Sequence, residues 1–244
     1  MKKAGVFWFG TIWTVLYIFH LPISSVPFSV GTVDTGVLAF VINTLFLWVT
    51  GVFLCKKRFP SLVFYRNQPK EPIRPYLPSV LAAAGLPLGT LYIYLRPLDA
   101  APGMLNLLIE GVGYALAVGF FEEWVFRGLF QQSLRKRMRP FDALCLGALA
   151  FSLGHVPAMI GLPAAMILMR VCWTLALGFY FGALYEKTRN LSFVSVVHAL
   201  VDGSVILFLF SSQNTYPFRA ASILLCIFYA LGAYGLYLLK EESS

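Results

Sequence analysis

The chain contains three short patterns in which ionisable residues interrupt otherwise apolar sequence. They are Glu122-Glu123 with Arg127, Phe151 with His155, and His198 with Asp202. Charged groups are costly inside a bilayer, so ionisable residues in such stretches are by default candidates for a functional site. A carboxylate acting as general base, with imidazoles that relay a proton or stabilise an oxyanion, would hydrolyse a bond with water.

Helical spacing assigns different roles to the two adjacent glutamates. Glu123 and Arg127 are four residues apart with the acid first, which is the favourable order for an ion pair on a helix. Glu122 points about 100° away from Glu123. We therefore expect Glu122 to lie outside that pair and to be available to exchange protons.

The histidines belong to two other predicted helices. Phe151 and His155 share one helix face, as do His198 and Asp202, because residues i and i+4 lie one turn apart. Asp202 would either hold the His198 ring in one tautomer or act with it on the same ligand. A helix rises about 1.5 Å per residue, and on this basis the depths of Glu122, His155 and His198 from the cytoplasmic ends of their helices place them within one layer of the membrane. The spacing therefore predicts that the three side chains meet there.

The composition indicates a polytopic membrane protein. Of the 244 residues, 59% are hydrophobic and only 12% are charged, and the mean hydropathy is +0.75. Soluble domains carry about 25% charged residues. The composition therefore excludes a soluble enzyme, a disordered chain and a small disulfide-stapled domain. The four cysteines are scattered and form neither a metal-binding nor a disulfide pattern.

Apolar stretches of sufficient length predict an all-α membrane domain with about eight spans and an intramembrane cavity. The predicted spans are 5–23, 35–55, 77–95, 104–134, 142–156, 163–184, 191–210 and 220–239. We expect the first span to be retained as an anchor. The chain is expected to form a single membrane domain, 1–244. Its predicted parts are two spans and a cytoplasmic loop in 1–76, the catalytic core in 77–210, and the last span in 211–244.

The basic residues set the expected orientation. With the N-terminus inside, fifteen of the 19 lysines and arginines fall in cytoplasmic segments, and only Arg96 and Arg219 fall in outer loops. The positive-inside rule thus predicts that both termini are cytoplasmic. This asymmetry explains the net charge of +8 without a nucleic-acid partner.

Two further features inside the predicted spans are expected to be structural. Glu110 and Arg170 lie at matching depths in the fourth and sixth spans, so we expect them to pair between helices. Gly178-x-x-x-Gly182 is a pattern of small residues that lets another helix approach closely.

The three patterns, in this order in successive predicted membrane helices, resemble the motifs of the CPBP family. That family comprises CAAX-processing endopeptidases and bacteriocin-processing or self-immunity proteins. The resemblance covers roughly residues 77–210. It implies an intramembrane glutamate endopeptidase that needs no cofactor and no metal. The implied substrate is a membrane-embedded or lipidated peptide or protein.

Carried over by position, the resemblance implies a role for each residue. Glu122 would activate water together with His155, while His198 and Asp202 would line the oxyanion site. The supporting residues would be Glu123, Arg127 and Phe151. Eukaryotic-type relatives carry Asn where this chain has Asp202. Asp202 would therefore act either as an ionised carboxylate that orients His198 or, as we favour, as a neutral acid that donates to the oxyanion.

We expect an integral protein of a prokaryotic plasma membrane, with the bilayer and a peptide substrate as partners. Three alternatives remain open. Glu122 and the two histidines could hold zinc, although the chain has no H-E-x-x-H motif. The same cavity could serve a non-catalytic scaffold or a bacteriocin self-immunity protein that only binds a peptide. A transporter would be expected to contain paired interrupted helices, which the sequence does not indicate.

Overall fold

The structure is a computed structural model that describes residues 2–20, 35–59, 71–95, 104–211 and 218–240. These ranges contain helices and no strand, so the predicted all-α fold is confirmed for the described part of the chain. The helices are α1 (Lys2–His20), α2 (Thr35–Arg58), α3 (Leu77–Leu95), α4 (Met104–Glu123), α5 (Gln132–Arg135), α6 (Pro140–Gly154), α7 (Ala164–Thr188), α8 (Leu191–Ser211) and α9 (Phe218–Lys240). A π-helix, Trp124–Gln131, joins α4 to α5, and short 3-10 helices cover Arg74–Tyr76 and Val156–Met159.

Two helices are long and apolar enough to cross a bilayer, counted over the described residues alone. They are Ala39–Arg58 and Ala164–Thr188. Shorter apolar helices cover Gly5–Leu16, Pro140–Gly154, Leu191–Val205 and Ile223–Leu239. The predicted outer loop at Arg96 and most of the predicted cytoplasmic loop before α3 lie outside the described residues. The predicted count of eight spans therefore stays a prediction.

Large apolar side chains on the outer faces of the helices suit a lipid environment. Trp8 is 62% exposed, Phe46 67%, Phe53 66% and Leu81 72%. Such extensive apolar exposure is unusual on a monomeric soluble protein, but it costs nothing against hydrocarbon. The interior is instead filled by aromatic rings, among which Phe121, Trp124 and Phe181 have no exposed surface.

The predicted fourth span, 104–134, does not continue as a single α-helix. The α-helical pattern ends at Glu123, and the next eight residues form the π-helix Trp124–Gln131. Its backbone N–H groups bond five residues back rather than four, which widens the helix and rotates the residues beyond it. Arg127 and Gln131 both face α7 from this segment, where they donate to the carbonyls of Gly178 at 3.2 Å and Gly182 at 3.0 Å.

The predicted fifth span, 142–156, also differs. α6 starts with Pro140 in its first turn and ends at Gly154. His155 was predicted to lie inside the helix, whereas the structure places it in the turn after the helix. Pro157 follows two residues after His155, in the 3-10 helix, and a proline has no N–H with which to extend α6.

Close helix contacts at glycines bring the site-bearing elements together. A Cβ atom on Gly119 of α4 would lie only 2.8 Å from the Ala199 nitrogen of α8 and 3.0 Å from the Ser195 carbonyl oxygen. Ser195 and Ala199 flank His198, and Gly119 lies one turn before Glu123. The absence of a side chain at Gly119 therefore allows the two glutamates to approach His198.

The predicted glycine pattern on α7 forms a packing face against α6. A Cβ atom on Gly178 would lie 3.0 Å from the Ala148 Cα atom, and one on Gly182 would overlap a Leu144 methyl carbon. Because no side chain intervenes, the carbonyls of Gly178 and Gly182 are accessible to the π-helix. The packing prediction is confirmed.

Candidate active site

The three sequence patterns converge on one cavity of about 230 Å³ between α4, α6, α7 and α8. The predicted catalytic residues Glu122, His155, His198 and Asp202 all line it, as does Phe151. The remaining lining residues are Tyr114, Val118, Met159, Arg170, Trp173, Thr174, Leu177 and Val205. Glu123 and Arg127 lie behind this layer, and both are buried.

Glu122 faces both histidines. Its side chain is 3% exposed, and its Oε2 atom lies 3.7 Å from His155 Nε2 and 3.8 Å from His198 Nε2. These separations exceed a direct hydrogen bond. Each separation leaves room for a water that bridges Oε2 and the imidazole nitrogen.

The backbone fixes the tautomer of neutral His155. Its Nδ1 atom lies 2.7 Å from the Phe151 carbonyl oxygen. A carbonyl can only accept, so Nδ1 carries the proton and donates it. The Nε2 atom of the neutral ring, which is the one that faces Glu122, then presents a lone pair to the cavity. The Phe151 ring supports this arrangement edge-on, with 4.8 Å between ring centroids.

A buried carboxylate orients His198. Its Nδ1 atom lies 2.7 Å from Glu123 Oε1, and the imidazole is stacked on Phe181 with 4.5 Å between ring centroids. Glu123 thus contacts both Arg127 and His198, whereas the sequence predicted only the first contact. The carboxylate on Nδ1 of His198 is Glu123, whereas the spacing had offered Asp202 as one of two possibilities: a group that holds the ring or one that acts with it on the same ligand.

The predicted ion pair between Glu123 and Arg127 is present. Arg127 Nη1 lies 3.0 Å from Glu123 Oε1, and the two side chains are 2% and 0% exposed. The guanidinium also lies over the Phe151 ring, 4.4 Å from its centroid. One buried cation therefore connects the glutamate pair to the aromatic residue beside His155.

Asp202 approaches His198 from the cavity side. Its Oδ2 atom lies 3.5 Å from His198 Nε2, and its side chain is 24% exposed. Glu122 faces the same nitrogen. Asp202 therefore faces Nε2 of His198, not the nitrogen that Glu123 occupies.

Sequence reasoning missed two contributors to this site. Phe181 was not selected, because an aromatic residue in an apolar span carries no signal of its own; it lies three residues after Gly178 on α7. Arg170, which was predicted only as a structural partner of Glu110, lines the cavity, and that pairing stays a prediction. The side chain of Glu110 lies outside the described residues.

The described residues contain no group of three or more His, Cys, Asp or Glu side chains with the geometry of a metal site.

Comparison with known proteins gives one family. Residues 104–204 match the family described as type II CAAX prenyl endopeptidase Rce1-like. The matched segment holds all seven predicted site residues and lies within the predicted core, 77–210. The resemblance to the CPBP family is therefore confirmed. No curated protein matches the chain.

Proposed function

Residues 104–204 carry an Rce1-like type II CAAX prenyl endopeptidase domain, and on this premise we propose that the protein is an intramembrane glutamate endopeptidase. One observation supports this proposal above the others. A buried carboxylate, Glu122, faces two imidazole nitrogens at 3.7 Å and 3.8 Å inside a cavity. The opposite nitrogen of each ring is bonded to another group, so both rings are held with Nε2 toward Glu122.

Glu122 and His155 divide the activation of water between them. An ionised Glu122 accepts one water proton at Oε2, while the Nε2 lone pair of His155 accepts a hydrogen bond from the other. The water oxygen then forms a bond to the carbonyl carbon of the substrate. Glu122, now protonated, transfers that proton to the departing amide nitrogen as the C–N bond breaks, which returns the carboxylate to its starting state.

His198 and Asp202 stabilise the negative oxygen of the tetrahedral intermediate. Glu123 binds Nδ1, so a donor role for His198 requires a proton on Nε2 as well, and the buried Glu123 carboxylate balances the resulting positive ring. Asp202, as a neutral acid, supplies a second donor beside Nε2. A negative Asp202 would oppose the developing oxyanion, and this is why the neutral form is favoured.

Glu123, Arg127 and Phe151 act in support. Arg127 lies between the Glu123 carboxylate and the Phe151 ring. Because Glu123 holds His198 and Phe151 contacts His155, a shift of Arg127 moves both imidazoles. We therefore treat these three as positioning residues.

The substrate we propose is a membrane-embedded or lipidated peptide or protein in a prokaryotic plasma membrane. The cavity opens among apolar residues, including Val118, Met159 and Leu177, which suit the side chains of such a chain. The matched family is named for prenylated substrates, and the proposal for this chain is the wider class.

The test compares membranes that contain the wild type, Glu122→Gln or Glu71→Gln. Glu71→Gln is the matched control, because Glu71 contacts Tyr76 and Lys187 away from the cavity. Quantitative proteomics of peptide termini should detect new ends with the wild type and the control, and intact precursor with Glu122→Gln. Identical termini in all three membranes would contradict the proposal and favour the alternative of a protein that only binds.

A further inference from the structure

Of the described residues that line the proposed catalytic cavity, Arg170 is the one whose side chain is always positively charged. It lies eight residues before Gly178 on α7, and the backbone carbonyl of Gly178 accepts a hydrogen bond from the Arg127 guanidinium. Eight residues of α-helix span about 12 Å. Arg170 is therefore well separated along α7 from the buried Glu123–Arg127 pair.

Hydrogen bonds between α6 and α7 fix the position of Arg170 relative to the catalytic groups. Ser152 Oγ donates to the Val171 carbonyl at 2.7 Å, and Thr174 Oγ1 donates to Ser152 Oγ at 3.1 Å. Ser152 is the neighbour of Phe151. The turn that carries Arg170 is therefore pinned beside the turn that carries Phe151 and leads to His155.

Among the described side chains, none forms an ion pair or a hydrogen bond with the guanidinium of Arg170, and the side chain of Glu110, its predicted partner, lies outside the described residues. Other arginines of the described ranges form such pairs: Arg127 with Glu123, Arg135 and Arg189 with Glu186, and Arg139 with Asp142. A half-buried guanidinium has five N–H donors in a planar fork that fits a carboxylate. In a catalytic cavity, such a fork is suited to a ligand.

We infer that Arg170 is a positioning residue that binds a carboxylate of the peptide substrate, an inference that rests on the proposed peptidase function. Two acidic residues, Glu122 and Asp202, are among the proposed catalytic groups that line the cavity. The Arg170 cation lies in another part of the lining. A peptide carboxylate is attracted to Arg170 and repelled by the ionised Glu122. The charge distribution thus selects one direction for the bound peptide and favours substrates with a carboxylate near the cleaved bond.

The carboxylate could belong to the peptide's C-terminus or to an acidic side chain, and three short peptides distinguish these sources. The probes are acetyl-Leu-Leu-Leu with a free carboxylate, the same peptide as a carboxamide, and acetyl-Leu-Glu-Leu carboxamide. Dissociation constants are measured with detergent-solubilised protein carrying Glu122→Gln, so that binding is read without cleavage. Arg170→Gln, Arg170→Lys and the control Arg139→Gln are compared in that background. Arg139 is suited as the control because its side chain is 82% exposed.

We expect at least one carboxylate peptide to bind about 10-fold to 100-fold more tightly than the neutral peptide, as for a charged hydrogen-bonded pair. Arg170→Gln should abolish this preference, and Arg170→Lys should keep part of it because a point charge lacks the planar fork. Arg139→Gln should keep all of it. The carboxylate peptide that binds more tightly identifies the source.

Equal binding of the three peptides, or a preference that survives Arg170→Gln, overturns the inference. If Arg170→Gln fails to accumulate, the comparison of Arg170 with Arg170→Lys still tests the inference. Equal binding of charged and neutral peptides by both proteins would contradict it. If Arg170→Gln kept the preference for the carboxylate peptide but melted at a lower temperature, Arg170 would instead belong to a structural ion pair.

Kinetics separate this inference from the proposed function. With active protein and a cleaved substrate, Arg170→Gln should raise KM for the carboxylate substrate and leave kcat nearly unchanged, as expected for lost uniform binding. Cleavage with no change in KM contradicts the role of Arg170 alone. Carboxylate-selective binding without cleavage of any substrate contradicts the peptidase proposal alone.

Discussion

Replacement of Arg127 by alanine tests whether the buried ion pair holds the site together. Arg127 is 2% exposed and lies 3.0 Å from Glu123 Oε1, while Glu123 has no exposed surface. Its guanidinium also donates to the Gly178 carbonyl and covers the Phe151 ring. In Arg127→Ala the Glu123 carboxylate loses its arginine partner inside the protein, where water cannot replace it.

The expected cost depends on this burial. Removal of one partner from a buried ion pair destabilises a protein by about 3–5 kcal/mol, because the remaining charge is uncompensated. For chains of 150–250 residues, each kcal/mol lowers the melting temperature by about 2–4 °C. We therefore expect Arg127→Ala to melt about 6–20 °C below the wild type. We also expect it to lose activity, because Glu123 orients His198.

The assay is thermal unfolding of purified protein in detergent, with Arg127→Lys and Arg139→Ala as comparisons. Arg127→Lys keeps the charge and should fall between wild type and Arg127→Ala. Arg139 forms an exposed pair with Asp142, and its removal should not change the melting temperature measurably. If Arg127→Ala melted with the wild type, the assignment of Arg127 to a structural ion pair would be refuted.

The remaining predictions concern Asp202, a helix contact and the zinc alternative. Asp202→Asn should keep activity and extend it to higher pH, because an amide has no proton to lose, whereas Asp202→Ala should lose about 10²–10³ in rate. A pH–rate profile in which both variants are equally inactive would favour an ionised Asp202 instead. Gly119→Ala should separate α4 from α8, with a loss of about 1–3 kcal/mol and of activity. Gly85→Ala should leave both stability and activity unchanged, since a Cβ atom there contacts nothing within 4 Å. Equal melting temperatures of the two variants would contradict the role of Gly119 in the close contact between α4 and α8. Peptidase activity should survive treatment with a strong metal chelator. If the chelator removed activity and added zinc restored it, the metalloprotease alternative would be favoured.

Most of the site features that could be predicted follow from the spacing of residues along single helices. Glu123 and Arg127 are one turn apart, so their ion pair is expected from helix geometry alone. The separation of Glu122 from that pair is expected from the same geometry. The all-α fold is expected from the apolar composition, since a helix satisfies its own backbone hydrogen bonds in lipid.

Long-range contacts and helix irregularities could not be predicted in the same way. Glu123 and His198 are far apart in the chain, and no periodicity connects them; the contact depends on how closely α4 and α8 approach at Gly119. The π-helix after Glu123 could not be predicted, because its mostly apolar sequence shows no pattern that distinguishes it from a regular α-helix. His155 lies beyond the end of α6 because Gly154 and Pro157 stop the helix.

The activity of purified Glu122→Gln tests the proposal most directly. Glu122 is the proposed base, and glutamine keeps its shape but cannot accept the water proton. We expect a rate about 10²–10⁴-fold lower than that of wild type on a substrate identified from the membranes. The melting temperature should stay within about 2 °C, since the Glu123–Arg127 pair is retained. A folded Glu122→Gln protein that cleaves at the wild-type rate would contradict the glutamate-peptidase mechanism.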